Sequence, residues 1–383
     1  MFSYISVYSP VQGTVIDAMH GLFLGLEKRL IELLFSDTFK QSHFSQHQNA
    51  ERVSARLRSI KPPRSVKRVP RSLNQMQHFK ASEFAMILIM YQPILLGLIP
   101  DAYLKHLCHL SNVSYLLYKS TVTQQDLETA RYSIKRFCEQ FETLYGLKYQ
   151  TSNFHNLTHI VDDVASFGPL WNTDCFAYEN ASGDMMRHIF GTQAPDQQVI
   201  RAISVTHKLP HIVDDITNAY ASEFAQRMLS SKWAAKETQL RDTDFFVLGS
   251  LTKSFDQDEQ QFVQTKVLPL IGVVPTSFKV TGSFVRFRKH TRVYHCQNYT
   301  KAKKRNSFTV QFKDGNGVLQ YGMLKQAYSA TYTTGDGKES YIHVAHVKCL
   351  RIISPELGHA KHISIVAVPK EGDEDLFVEL KDM

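Results

Sequence analysis

A carboxylate and an imidazole three residues apart, Asp17 and His20, open a long apolar run and are the side chains best placed for chemistry near the start of the chain. On a helix, residues at that spacing share a face, so a carboxylate and an imidazole beside a close-packed glycine face read as part of a site. The plainer alternative is a capping Asp17 and a hydrogen-bonded His20, because a short D-x-x-H match is weak by itself. Ile16, Met19, Phe23, Leu26, Leu30 and Leu33 recur at three- and four-residue steps and predict one long amphipathic helix from Val15 to Phe35. Gly21 and Gly25 lie inside it. Each costs about 1 kcal/mol against alanine in a helix interior, and two of them four apart predict that another backbone approaches closely there. His155 and His159 are also four apart. They would bind zinc only with a third ligand, and packed polar residues are the simpler reading.

The elements that position these groups follow from patterning. The 383 residues, 43% of them hydrophobic, suffice for two or three domains with a real core. Ala81–Leu96, Ala102–Leu117 and Gln124–Tyr145 carry helical spacing, with Thr123 as N-cap and Gly146 as C-cap. Asn153–Ala165, Glu179–Phe190, Gln197–Leu209 and Asp214–Ser230 read as further helices, and Gly168-Pro169 as a break. After about residue 244 short β-rich runs appear: Phe278–Phe287, Arg292–Cys296, Ser307–Phe312, Gly317–Met323, Tyr341–Leu350 and Ser364–Val368. Asp314-Gly-Asn-Gly317 and Thr334-Gly-Asp-Gly337 are strong turn signals between them. A small barrel or sandwich is expected, with the acidic Glu371–Asp375 as a turn or tail. Residues 1 to 14 read as extended.

Net charge of +8 favours a polyanionic partner. Two basic groups stand out. Arg52, Arg56, Arg58, Lys61, Arg64, Lys67, Arg68 and Arg71 face a single acid, Glu51, and form either a solvated linker or a phosphate-contacting strap. Arg286, Arg288, Lys289, Arg292, Lys301, Lys303, Lys304 and Arg305 lie in the β-rich part. Tyr294, Tyr299 and Phe308 among them could stack on bases, with core packing expected of at least one. Cys108, Cys138, Cys175, Cys296 and Cys349 are scattered and never paired as C-x-x-C, which argues against a disulfide framework or a cysteine-rich zinc site and for a reduced intracellular compartment. The first ten residues lack a signal-peptide pattern, and no apolar span approaches ~20 residues, so no membrane helix is expected.

Several segments, in order, resemble CACTA-type (En/Spm) transposases and genes derived from them. Asp17-Ala-Met-His20 with Leu24-Gly-Leu-Glu-Lys-Arg-Leu30 is similar to the D-x-M-H…LG-x-x-K-x-L segment of that family. Val69-Pro-Arg-Ser-Leu73 and Phe79-Lys-Ala-Ser-Glu-Phe84 resemble its P-R-S-L…W-K-A-S-E-W, and Leu144-Tyr-Gly146, Asn153–His159 and Phe167–Trp171 follow in order. Cys175-Phe-Ala-Tyr-Glu-Asn180 resembles its F-P-F-E box, with Ala177 in place of proline. The resemblance covers about residues 10 to 200. It implies an RNase H-like DDE enzyme in which acidic residues hold two Mg²⁺ ions for DNA strand cleavage and transfer. Glu179 then corresponds to the third acid and metal ligand, although an exposed helix-start glutamate is the alternative, and Asp17 and His20 correspond to the D-x-x-H between the second and third acids. They are expected close to Glu179, with His155 and His159 flanking them.

No Asp or Glu precedes Asp17, so the first two acids are missing from this chain. The expectation is therefore an α+β protein with a partial RNase H-like core, a large all-helical insertion and a small β-rich domain. The blocks are 1–40, core with the D-x-x-H helix; 41–150, basic linker and insertion; 151–243, return to the core; and 244–383, the β-rich domain. Function is read as a nuclear, transposase-derived DNA-binding protein, a fragment or domesticated remnant inactive alone, with Mg²⁺ belonging to the intact ancestor and no ion bound by this chain. The alternative is a non-catalytic nucleic-acid- or chromatin-binding protein acting through its β domain. DNA is the expected partner, and self-association is left open.

Overall fold

The computed structural model describes residues 15–63, 66, 68–229, 237–290, 292–299, 305–354, 356–363, 365–366 and 375–383. The extended start at 1–14, Arg64, Lys67, Lys301, Lys303, Lys304, the acidic residues 371–374 and most of 364–368 lie outside them. Helices and antiparallel sheets are both present, so the chain is α+β. It divides into two compact units: Met1–Ile60, Arg68–Ser230 and Glu356–Ile363 form the first, and Lys61–Lys67, Ser231–Pro355 and Ser364–Met383 the second. Among the described residues no helix is long and apolar enough to cross a membrane.

The described part of the first unit is helical, and no sheet strand lies in it. Its opening run is not one uniform helix. Met19–Glu27 winds as a π-helix and Lys28–Phe35 as an α-helix. Leu22 and Glu27 are buried beside the expected Met19, Phe23 and Leu26, Glu27 standing four residues after Phe23 and three before Leu30, while Ile16 is only half-buried. The apolar 81–96 stretch breaks at Met90 into Ala81–Ile89 and Tyr91–Leu95. Asp101–Leu117 and Gln124–Tyr145 then pack together. Thr123 and Asp126 form a reciprocal capping box, with Oγ1 accepting from the Asp126 amide at 3.2 Å and Asp126 Oδ2 accepting from the Thr123 amide at 3.0 Å. Residues 153 to 165 form two short α-helices, Ser152–Asn156 and Ile160–Phe167, around a 3₁₀ turn.

Glu27 has no water-facing surface at all. The hydroxyl of the equally buried Tyr91 donates to its Oε2, and its Oε1 has no hydrogen-bond partner among the described residues. Desolvation therefore pushes the carboxyl up to about 8, against the pull of the Tyr91 bond.

In the second unit the strands are β1 Glu237–Gln239, β2 Phe245–Leu248, β3 Ser277–Phe284, β4 Arg286–Lys289, β5 Arg292–His295, β6 Thr309–Lys313, β7 Leu319–Thr333, β8 Glu339–Leu350, β9 Ile352–Ser354, β10 Ile365–Val366 and β11 Asp375–Glu379. One sheet has the order β1-β2-β4-β5; the larger has β11-β8-β7-β3, with β6 also on β7. Phe245, Val247, Phe284 and Phe287 share a core with Leu324, Ala327, Ala345 and Val347, so the sheets are packed face to face. Both turn signals hold hairpins: Asp314 Oδ1 accepts from the amides of Asn316 and Val318 at 2.9 Å, and Gly317 and Gly337 take positive φ. Two elements are additional to the β-rich reading. Gln257–Ile271 is a helix whose Val263 and Val267 pack on the larger sheet, and the end of the acidic segment, from Asp375, is a strand paired with β8.

Candidate functional site

Asp17 sits at the mouth of the π-helix and works first as a fastener. Its Oδ1 accepts from the Met19 amide and from the Cys175 amide, each at 3.0 Å, the latter across 158 residues of sequence. Its Oδ2 accepts from the His20 amide at 3.3 Å and pairs with His20 Nδ1. Burial works against the charged form, but these hydrogen bonds prevail and hold the Asp17 carboxyl below its ordinary range. The other ring nitrogen of His20, Nε2, lies 3.8 Å from Glu179 Oε1. Asp17, His20 and Glu179 are thus brought together from the two ends of the helical excursion.

The second half of the site stands on helix Phe176–Met186 and the turn before it. Cys175 was not among the candidates from sequence, because its partners are remote in the chain. One donor atom each from Asp17, His20 and Cys175 lie within 4.8 Å of one another. Slight burial, then the hydrogen bond to Asp17 and the charges of Asp17, Asp174 and Glu179, push the Cys175 thiol up. Asp174 is buried; burial raises its carboxyl despite bonds from the Phe176 amide and the Tyr118 hydroxyl, and Asp17 adds to the rise. Among the described residues no Lys or Arg forms an ion pair with Asp17, Asp174 or Glu179.

The glycine expectation is corrected in kind. What crowds Gly25 is a side chain and its own helix: a Cβ there would meet Asn153 Nδ2 at 2.4 Å and the His20 carbonyl oxygen at 2.9 Å. Gly25→Ala should therefore displace Asn153, costing about 1–2 kcal/mol net of the gain in helix propensity, and Asn153→Ala should relieve most of that cost. Urea midpoints of the two single variants and the double variant check this; additive effects would contradict it. His155 and His159 are exposed, with ring centroids 5.4 Å apart and no third ligand gathered among the described residues. The same stretch packs Asn153 against Gly25, and Asp163 Oδ2 accepts from the Ile16 amide at 3.0 Å, next to Asp17 in sequence.

No family model, curated protein or solved structure matches the chain. The resemblance to CACTA-type transposases therefore rests on the motif residues themselves.

The basic residues divide by what they touch. Arg56 donates to the carbonyls of Ile94 and Leu96, at 3.2 and 2.6 Å, and so closes the end of helix Tyr91–Leu95. Arg71 grips the buried Glu83 with two bonds of 2.8 and 2.9 Å, which joins the two motif segments internally. Arg58 pairs with Glu51 at 2.9 Å. Arg52, Lys61 and Arg68 are exposed and in no ion pair among the described residues. Of the second group, Arg288 pairs with Glu237 at 2.7 Å and lies over Phe246, Arg286 lies over Tyr299, Lys289 lies over Phe245, and Arg305 donates to the Val66 carbonyl at 2.7 Å. Arg292 is exposed. Tyr294 stacks on Phe287 at 5.0 Å, and both Tyr294 and Phe308 pack, partly buried, on the sheet core.

The donors present do not fit Mg²⁺. That ion takes octahedral oxygen ligands at about 2.1 Å and keeps several waters. Here both Asp17 oxygens are engaged by N–H groups, and the donors gathered with Asp17 are an imidazole and a thiol.

Proposed function

We propose that the chain is a transposase-derived, nuclear DNA-binding protein without strand-cleaving activity of its own. In this reading the first unit is the helical portion of a partial RNase H-like core with its insertion. The observation that carries the ancestry is the meeting of Asp17 and His20 with Glu179, as the order of the motifs requires, across most of the first unit. Loss of catalysis fits a carboxylate set in which Asp17 is spent on backbone amides, since two-metal chemistry needs several free carboxylates.

DNA binding is supported by exposed cations that form no ion pair among the described residues: Arg52 and Arg68 in the first unit, Lys61 and Arg292 in the second. Arg292 and Lys289, on adjacent strands, also favour the related reading in which the β domain is the working part. The test compares a labelled duplex bound by wild type and by the variant carrying Arg52→Glu, Lys61→Glu, Arg68→Glu and Arg292→Glu. Affinity is expected to drop at least tenfold, with the duplex left uncut in Mg²⁺ or Mn²⁺. Equal binding by both proteins, or cleavage lost on Glu179→Gln, would overturn the reading.

A further inference from the structure

The cluster that fits Mg²⁺ poorly has the composition of a different ion site. A thiol, an imidazole and a carboxylate are nitrogen, sulfur and oxygen donors, the set that Zn²⁺ takes in tetrahedral geometry with bonds of about 2.0–2.3 Å. Adjacent donors in such a site stand roughly 3.3–3.8 Å apart. His20 Nε2 and Glu179 Oε1 are already 3.8 Å apart, and the Asp17, His20 and Cys175 donors fall within 4.8 Å of one another; bringing the Glu179 carboxylate to Cys175 as well takes a rotation of that exposed side chain. Cys175, the N-cap residue, and Glu179 in the first turn are four apart, which places them on the same side of one helix start.

We propose that His20, Cys175 and Glu179 bind a divalent ion of the Zn²⁺ class, with Asp17 as the carboxylate that orients His20. Asp17 takes that outer role because its oxygens already accept from the Met19, His20 and Cys175 amides and pair with His20 Nδ1, which leaves Nε2 as the free donor. A carboxylate on the far nitrogen of a metal-bound histidine fixes the ring and strengthens the ligand. On binding, the Cys175 S–H bond breaks, the thiolate bonds the ion, and the proton leaves to solvent; no electrons are exchanged. Three protein ligands leave a fourth position for water. The ion would clip the mouth of the π-helix to helix Phe176–Met186, and it would neutralise a carboxylate group that has no Lys or Arg ion pair among the described residues.

The proposal is independent of DNA binding and is read without DNA. Full-length metal-free protein is titrated with Co²⁺ as a spectroscopic probe, then with Zn²⁺ in competition. The expected result is one equivalent of Co²⁺ giving thiolate-to-cobalt charge-transfer absorption that Zn²⁺ displaces. Cys175→Ser should abolish that absorption, and Glu179→Gln and Asp17→Asn should each weaken binding at least tenfold. Folding of the variants is bypassed by a second readout on wild type: alkylation of Cys175, followed by peptide mass, should slow at least tenfold with Zn²⁺, while the half-buried Cys138 reacts at an unchanged rate. No charge-transfer band, or alkylation of Cys175 that ignores Zn²⁺, would overturn the proposal.

Discussion

Replacing Glu27 by glutamine is expected to abolish a loss of stability that the wild-type protein suffers between pH 5 and pH 8. Glu27 is raised from 4.5 to about 8 by its burial. A carboxyl whose folded value lies above its unfolded one contributes full stability below the unfolded value. It loses that stability as pH rises through the folded value, because the unfolded chain releases its proton first. The window is thus about 4.5 to 8, and at 1.36 kcal/mol per unit the difference between wild type and Glu27→Gln should change by about 3–5 kcal/mol across it. His106 acts in the opposite direction: burial holds it down to about 3, so its contribution is lost as pH falls below the ordinary histidine range. That term is common to both proteins and cancels in the comparison. Urea unfolding of the two proteins at pH 5, 6.5 and 8 gives the answer. Parallel pH profiles would show that Glu27 ionises freely, contrary to its burial against Tyr91.

Gly322→Ala should cost about 2–3 kcal/mol in the second unit. Gly322 lies within β7, between β6 and β8, opposite Val310 and Cys349. A Cβ there would fall 2.1 Å from Val347 Cγ1 and 3.1 Å from both the Lys348 carbonyl oxygen and Phe312 Cε1. Val347 is fully buried and Phe312 nearly so, and neither is the loose end of a flexible chain. Overpacking a tight core costs on this scale, and it outweighs the modest gain from removing a strand glycine. Val347→Ala should recover part of the loss in the double variant, and thermal denaturation with a near-ultraviolet signal reports it. An unchanged midpoint for Gly322→Ala would contradict the packing described.

Much of the scaffold was legible because its signals are local. Thr123 caps its helix through contacts within three residues, and the two glycine-rich turns set φ where the hairpins reverse. Asp17, His20 and Glu179 were legible only through the order of motifs, since spacing says nothing about residues so far apart. Cys175 escaped notice for the same reason: nothing in its neighbourhood announces that its amide reaches Asp17. Charged residues ordinarily stay at the surface, so the burial of Glu27 is visible only once its partner Tyr91, 64 residues away, is placed against it. The basic segments looked uniform in sequence. Tertiary contacts spend Arg56, Arg71 and Arg288 internally, while Arg52, Lys61, Arg68 and Arg292 form no ion pair among the described residues, a distinction charge counting cannot make.

DNA binding as a function of salt tests the central claim most directly. Neutralising each phosphate releases counterions, so log K falls linearly with log salt by about 0.9 per contact on duplex DNA. Arg52, Lys61, Arg68 and Arg292, exposed and without an ion pair among the described residues, set the scale. A slope of about −3 or steeper is expected for duplexes of unrelated sequence between about 50 and 200 mM salt. A slope near zero, or no binding at the lowest salt, would contradict it.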